Sequence, residues 1–548
     1  MTDVTTEHTE SADADRAGAR AWASLFAVAL GTMVLQIDGT VVAAANPAIA
    51  ADLGAGPGGI QWATTAYLLV IAGLVIPAGT LADRIGLKKA FLIGVAGFSA
   101  ASVVAGLSAS IEMLIAGRVL QAVFAAVMSP AGIAILKAAF PPGRLPMAFG
   151  IFGSVTAVAL AGGPILGGLL VEYASWPWVF FVNIPVGVAA VTLGAIAIGE
   201  SARPERRPLD IPGALTLTLT MVSVVWAITG AQTNGWVSPT TIGFLALGLV
   251  LFVIFLLVER RSAHPTVPLG LFGNRSFAAG ILLATLTMMV FLPIIFYLMF
   301  FLQGVQGKSP LLASVGLLPL TATFTVASPV AGWVTAKLGV RRTLLVGVVC
   351  IVVCLALLLR LDADSGVPML APPLVLAGFG VGFMMTPSMQ AVLGNVAVDE
   401  AGVASGIQQS MQQLGSTLGV AVFGSLLTTV VGSRFDQALT GRLGDHGGAA
   451  AERIAGSEQM RQQVALGFSP AAKEELGRRL TETGMPAGRV RELADAVAGA
   501  AHQTFVDGIR TVFLVSIGVA LVAGLVSLLV RDARPRHAEL PEHEEAGV

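Results

Sequence analysis

Apolar runs of about 18 residues or more, long enough to cross roughly 30 Å of hydrocarbon as α-helix, recur along this chain with short polar joints between them. The pattern predicts fourteen spans, the first at 22–46 and the last at 509–530. It also predicts their grouping. Residues 1–21 are polar and acidic and read as an N-terminal tail, and 22–199 hold six spans. The stretch 200–276 opens on Pro204, Pro208 and Pro212 and carries two further spans. The last six lie in 277–530, interrupted by a polar insertion at 431–508, and 531–548 form a second tail. The expected fold is an all-α integral membrane protein: two six-helix bundles plus two extra central helices.

A repeat supports that division. Gly79 to Lys89 and Gly332 to Arg342 lie 253 residues apart, share their glycine and basic positions, and each joins two apolar runs. Two related halves are a common build of secondary transporters, with the substrate site between them.

Composition agrees: 55% of the 548 residues are hydrophobic and 12% charged, too few to cover a soluble globule. The basic residues fall in alternate joints, at Arg84, Lys88 and Lys89, at Lys137 and Arg144, at Arg260, Arg261 and Arg275, and at Lys337, Arg341 and Arg342. The short opposite joints carry little beyond Lys308 and Arg360, and 431–508, with its mixed charges, is too long to count in the rule. The positive-inside bias therefore sets both termini in the cytoplasm, and the expected location is the cell inner membrane. Cys350 and Cys354, the two cysteines, are four apart on one helix and read as packing.

Within the spans, away from their ends, Asp38 and Arg118 are the embedded ionisable residues. A charge at such depth costs about 2.5 kcal/mol or more, which makes each a functional candidate. Asp38 lies ~12 Å from the outer end of its helix and Arg118 ~9 Å from the outer end of the fourth, at 1.5 Å per residue. The two can meet, either as a proton-loading carboxylate tuned by a guanidinium or as an ion pair orienting two helices. Glu112, nearer the mouth, is a candidate second acid.

Other polar and small residues are open to two readings. Gly150, Gly153, Gly163, Pro164, Gly167 and Gly168 in the fifth span suggest a kinked, tight contact between halves, or ordinary membrane packing. Ser129 with Pro130, and Thr386 with Pro387, read as matched helix breaks flanking a site. Gln408, Gln409, Gln412 and Gln413 line either a wet cavity or interhelical contacts. Phe291, Phe296, Tyr297, Phe300 and Phe301 make either an aromatic wall or lipid-facing bulk.

Together these residues resemble the major facilitator superfamily, and within it the fourteen-span drug:proton antiporters, over about 22–430. Gly79, Asp83, Arg84, Gly86, Lys88 and Lys89 match the loop motif that governs switching. Arg118 and Gln121 match the motif linked to proton coupling, and Gly150, Gly163, Pro164 and Gly167 the antiporter motif, beside Gly168. Asp38 to Val42, Gln61 and Trp62, Trp176, Asn183, and Gln303 with Gly307 match further family segments. Ala336 stands at the second-copy place of Asp83, Ala159 replaces a motif glycine, and Gln412 stands where relatives often carry arginine.

The resemblance implies proton-coupled efflux of lipophilic drugs or antibiotics by alternating access. The implied proton-coupling residues are Asp38, Arg118 and Glu112, and the cavity candidates Gln121, Phe296, Phe300, Gln408 and Gln412. A carrier for an endogenous lipid, siderophore or amino acid, or a non-transporting sensor, is the alternative. No hydrolase or metal motif is present, so neither enzyme activity, metal nor cofactor is expected. The expected partners are a small lipophilic substrate, protons and membrane lipid, with no nucleic acid and a functional monomer.

Overall fold

A computed structural model describes residues 3–55, 57–200, 210–363, 365–443, 457–465, 467–482 and 485–531. The tail beyond Arg531 and most of the proline-rich joint at 200–212 lie outside them. All regular structure among the described residues is helical.

The first bundle comprises α1 (Asp3–Asp52), α2 (Pro57–Ile85), α3 (Leu87–Gly106), α4 (Ile111–Ala139) and α5 (Leu145–Tyr173), then a divided sixth span, α6 (Trp178–Phe181) and α7 (Asn183–Ala197). A hairpin of α8 (Ile211–Asn234) and α9 (Pro239–Arg261) follows. The second bundle comprises α10 (Arg275–Phe300), the short α11 (Pro310–Gly316) leading into α12 (Leu318–Leu338), α13 (Val340–Leu358), α14 (Val367–Leu393), α15 (Ala401–Leu443) and, after two short helices, α18 (Ala487–Ser527). Those short helices are α16 (Glu458–Ala465) and α17 (Pro470–Glu482).

Thirteen described helical segments are long and apolar enough to cross a membrane. The fourteenth crossing is α12, whose threonines and prolines dilute its hydropathy but which packs between α5 and α14 like its neighbours. The α9 surface shows how such a chain meets lipid. Leu249, Val250, Phe252 and Leu257 are exposed, a cost in water and none in hydrocarbon.

Two details differ from the sequence expectation. Pro130 and Pro387 do not break their helices: α4 and α14 run through them, because neighbouring helices can satisfy a freed backbone group. The stretch 431–508 is in part a continuation of spanning helices, α15 carrying on to Leu443 and α18 beginning at Ala487, with the short α16 and α17 between them. On α17, the guanidinium of Arg479 donates to Glu475 at 2.8 Å and, with Arg478, holds that carboxyl below its ordinary range.

The bundles meet along two seams, α5 against α12 and α2 with α4 against α15. Glycine allows the approach. A β-carbon on Gly150 would strike the Ser328 carbonyl and Pro329, and one on Gly79 would strike the Gly402 carbonyl.

Candidate functional site

Asp38 sits inside the first bundle, 0% exposed, with Arg118 at 2% and Gln121 at 0%. Arg118 and Gln121 are three apart on α4 and therefore share a face. The Arg118 guanidinium donates to Asp38 Oδ2 and, at 2.8 Å, to Gln121 Oε1. Gln121 Nε2 donates to Asp38 Oδ1 at 3.0 Å and to Ser102 Oγ at 2.8 Å. Asn183, at the start of α7, donates to the same Asp38 oxygen at 2.9 Å. Beneath, the guanidinium stacks 3.9 Å from the centroid of the Tyr67 ring, a cation–π contact.

Five helices thus converge on one carboxylate that accepts from three side chains. This satisfaction offsets the desolvation of the pair. It also makes any change in the charge of Asp38 a change in what holds α1 to α4 and α7. Gly163 packs on Thr40, two residues from Asp38 and so on the opposite face of α1, which places the glycine-rich α5 on the far side of α1 from the site.

Asn183, Ser102 and Tyr67 belong to this network without having been singled out as site residues. Asn183 lies within a motif match, and Tyr67 belongs to the family segment at the start of the second span that Gln61 and Trp62 open, so both carried that much signal. Ser102 is one of two serines in an otherwise apolar stretch of α3 and carried none. Glu112 does not join them: it lies on the first turn of α4, facing outward beside the capping Ser110. Its backbone position, six residues from Arg118 on the helix, explains why.

The cavity candidates divide. Gln121 is buried in the Asp38 network rather than on a wall. Gln408 is 2% exposed, and its Oε1 has no hydrogen-bond partner. Gln412 is half-buried, with its amide against the sulfur of Met385 at 3.9 Å. Phe296 and Phe300 pack edge to face at 4.7 Å, Phe296 being 42% exposed. Phe291, Tyr297 and Phe301 are core residues of the second bundle instead of an aromatic wall.

Polar contacts between the bundles run from the basic face towards the membrane middle. Asp83, at the end of α2, accepts the Gly402 and Val403 amides at 3.0 Å each, capping the start of α15 with a carboxylate. That is where a helix dipole favours negative charge. Lys137, at the end of α4, donates to the carbonyls of Leu393 and Val396 at and just beyond the end of α14, the complementary arrangement. Ser129 joins Gln409, Ser405 donates to the Pro130 carbonyl at 3.0 Å, and Ser154 donates to the Thr325 carbonyl. The conformation is therefore closed on the basic side. Of the loop-motif residues, Gly86 takes a φ of 96°, open to glycine, at the corner between α2 and α3. Lys88 donates to the Ala195 carbonyl at 2.8 Å, while Lys89 is exposed.

Comparison with known proteins bears on what this arrangement does. The sequence matches the family model described as Major Facilitator Superfamily over residues 28–420. It is 39% identical to a tetracenomycin C resistance and export protein of Streptomyces glaucescens, covering 94% of this chain and 93% of that one. It is 35% identical to a puromycin resistance protein of Streptomyces alboniger, covering 83% and 90%. With a multidrug resistance protein of Mycobacterium tuberculosis the identity is 31%, over 95% and 94%. The fold is shared with a human organic anion transporter at a TM-score of 0.53 and 14% identity, covering 92% of this chain and 99% of that one. A proton:xylose symporter superposes equally well, with a TM-score of 0.53, 12% identity and coverage of 75% and 89%.

Proposed function

The chain belongs to the major facilitator superfamily of multi-pass membrane transporters, and on that premise we propose that it exports lipophilic antibiotics in exchange for protons by alternating access. The observation that carries this reading is the buried Asp38 carboxylate held by Arg118, Gln121 and Asn183. Adding a proton removes the charge those donors hold. Proton binding and movement of α1 against α4 and α7 are then one event, as coupling requires. Because Asp38 is 0% exposed, the proton enters as the bundles rearrange rather than through a standing channel.

The basic face is the cytoplasmic one in this proposal, so the closed basic side corresponds to the state that releases substrate outward. Return requires Asp83 and Lys137 to let go. A potential near 150 mV supplies roughly 3.5 kcal/mol per charge moved, at about 2.3 kcal/mol per 100 mV. One proton per cycle then supports a gradient of a few hundredfold. The relatives' names favour antibiotics over an endogenous solute as cargo.

Everted vesicles test the reading. Uptake of an antibiotic substrate should depend on an imposed proton gradient and dissipate it, and Asp38→Asn should abolish both while the protein still reaches the membrane. Gradient-driven uptake that survives Asp38→Asn at the native rate refutes the role of that carboxylate.

A further inference from the structure

A pair of carboxyl groups lies at the base of the α8–α9 hairpin, on the basic face and remote in sequence from Asp38. Asp210 caps α8, its Oδ1 accepting the Gly213 amide at 2.9 Å. Glu259, in the last turn of α9, is 3% exposed, and its Oε1 accepts the Val267 amide at 3.2 Å. A β-carbon on Gly213 would fall within 3.0 Å of both Asp210 Oδ2 and Glu259 Oε1. The two acids thus flank one glycine, where a larger residue would not fit.

Their remaining oxygens, Asp210 Oδ2 and Glu259 Oε2, are buried, and neither has a hydrogen-bond partner. The charged and titratable groups on the described elements packed around them do not supply one. Asp83 is committed to α15, Arg260 and Arg261 are exposed, and His264 is half-buried in the connection 262–268. Arg84 lies beyond Asp83 at the end of α2, and Asp210 is the charged neighbour that acts on Glu259. Two desolvated anions side by side are unfavourable. One proton removes one of the charges and turns one of the two carboxyls into a donor, where both otherwise only accept.

We propose that Asp210 and Glu259 hold one proton between them, forming a proton-binding site whose emptying loosens the 262–268 connection from α2. The link is a chain of hydrogen bonds. Thr266 Oγ1 donates to the Asp210 carbonyl at 3.2 Å, and Thr80 Oγ1, on α2, donates to the Thr266 carbonyl at 3.0 Å. Thr80 stands three residues before Asp83, within the loop motif. When the proton leaves as pH rises, repulsion parts the carboxyls, Val267 and Thr266 shift with them, and α2 loses a tether beside its contact with α15. The site acts whether or not Asp38 drives export.

The test uses the full chain in detergent, in an Asp38→Asn background so that Asp38 contributes no titration. Infrared pH-difference spectra should show a protonated-carboxyl band that disappears as pH rises, and Glu259→Gln should delete it. Amide hydrogen exchange in 262–268 should quicken tenfold or more over the same pH range. In Glu259→Gln, whose amide both accepts from Val267 and donates to Asp210, protection should stay level with pH; Asp210→Asn serves as the second variant with the same expectation. Absence of a Glu259-dependent band overturns the proposal, as does a band that titrates with no change in exchange. Protection that rises with sodium or calcium at fixed pH, and only when Glu259 is present, also overturns it and assigns the site to a metal cation.

Discussion

The two copies of the loop motif pack alike and bond differently. In the first, Gly79 lies against the Gly402 carbonyl, and Asp83, four residues on, caps α15 through the Gly402 and Val403 amides. In the second, Gly332 lies against the Pro146 carbonyl at the start of α5, and Ala336 occupies the place of Asp83. The start of α5 has no side-chain cap. Its second residue is Pro146, where Gly402 stands on α15, so the amide that would meet the first carboxylate oxygen does not exist. Acceptor and donor are missing together. Close approach of backbones is therefore common to both seams, whereas the electrostatic latch belongs to one, and the two seams should open at different cost.

The largest effect is expected at Asp83. Asp83→Ala removes two charge-assisted hydrogen bonds, each worth about 1.5–3 kcal/mol, and leaves two amides at the start of α15 without their cap. The basic side should open: cysteine labelling at that face should rise tenfold or more, and export should fall. Labelling unchanged from the native chain would mean that the capping bonds do not hold the seam. Gly79→Ala and Gly332→Ala come next. Each puts a methyl against a carbonyl oxygen and should lower export several-fold and by similar factors, since packing is what the copies share. A loss confined to Gly79 would instead make the second seam tolerant of separation.

Lys137→Met should act more weakly. It keeps most of the side chain's length while deleting its donors to Leu393 and Val396, and the two freed carbonyls can turn to water as the seam opens. A two- to threefold rise in labelling is the expected reading, additive with Asp83→Ala if the ends of α14 and α15 move independently and less than additive if they move together.

The copies also show what was legible beforehand. Glycine and charge spacing located both loops, and counting residues from helix ends brought Asp38 and Arg118 to matching depths, where they bond. That arithmetic works because a helix rises by a fixed step. It gives no azimuth in an apolar helix, which is why Gln409 rather than Gln412 reaches across to Ser129. For the same reason Asn183 and Ser102 could not be placed around Asp38. The Lys137 contact was hidden for another reason: its acceptors are backbone carbonyls, which every residue has. The partner of Asp83 was hidden likewise, being two amides 319 and 320 positions away.

The smallest effect, and the sharpest test of the comparison, is expected for Ala336→Asp. If the acid alone made the latch, this substitution should install a second one and slow opening of the α5–α12 seam. Pro146 offers no amide hydrogen, so only Met147 can donate. The single substitution should change labelling or export by less than about twofold, within the range of one net hydrogen bond of about 0.5–1.5 kcal/mol less the cost of desolvating a new carboxylate. Pro146→Ala should also be mild, since it restores an amide that nothing yet accepts. The double variant is different: both amides then face a carboxylate in the geometry that Asp83 has on α15. Labelling of the closed seam should fall below that of either single variant by more than the product of their separate effects. A double variant that merely multiplies those effects would show that capping at a helix start does not transfer between the halves, and that the latch depends on something in α15 beyond its first two amides.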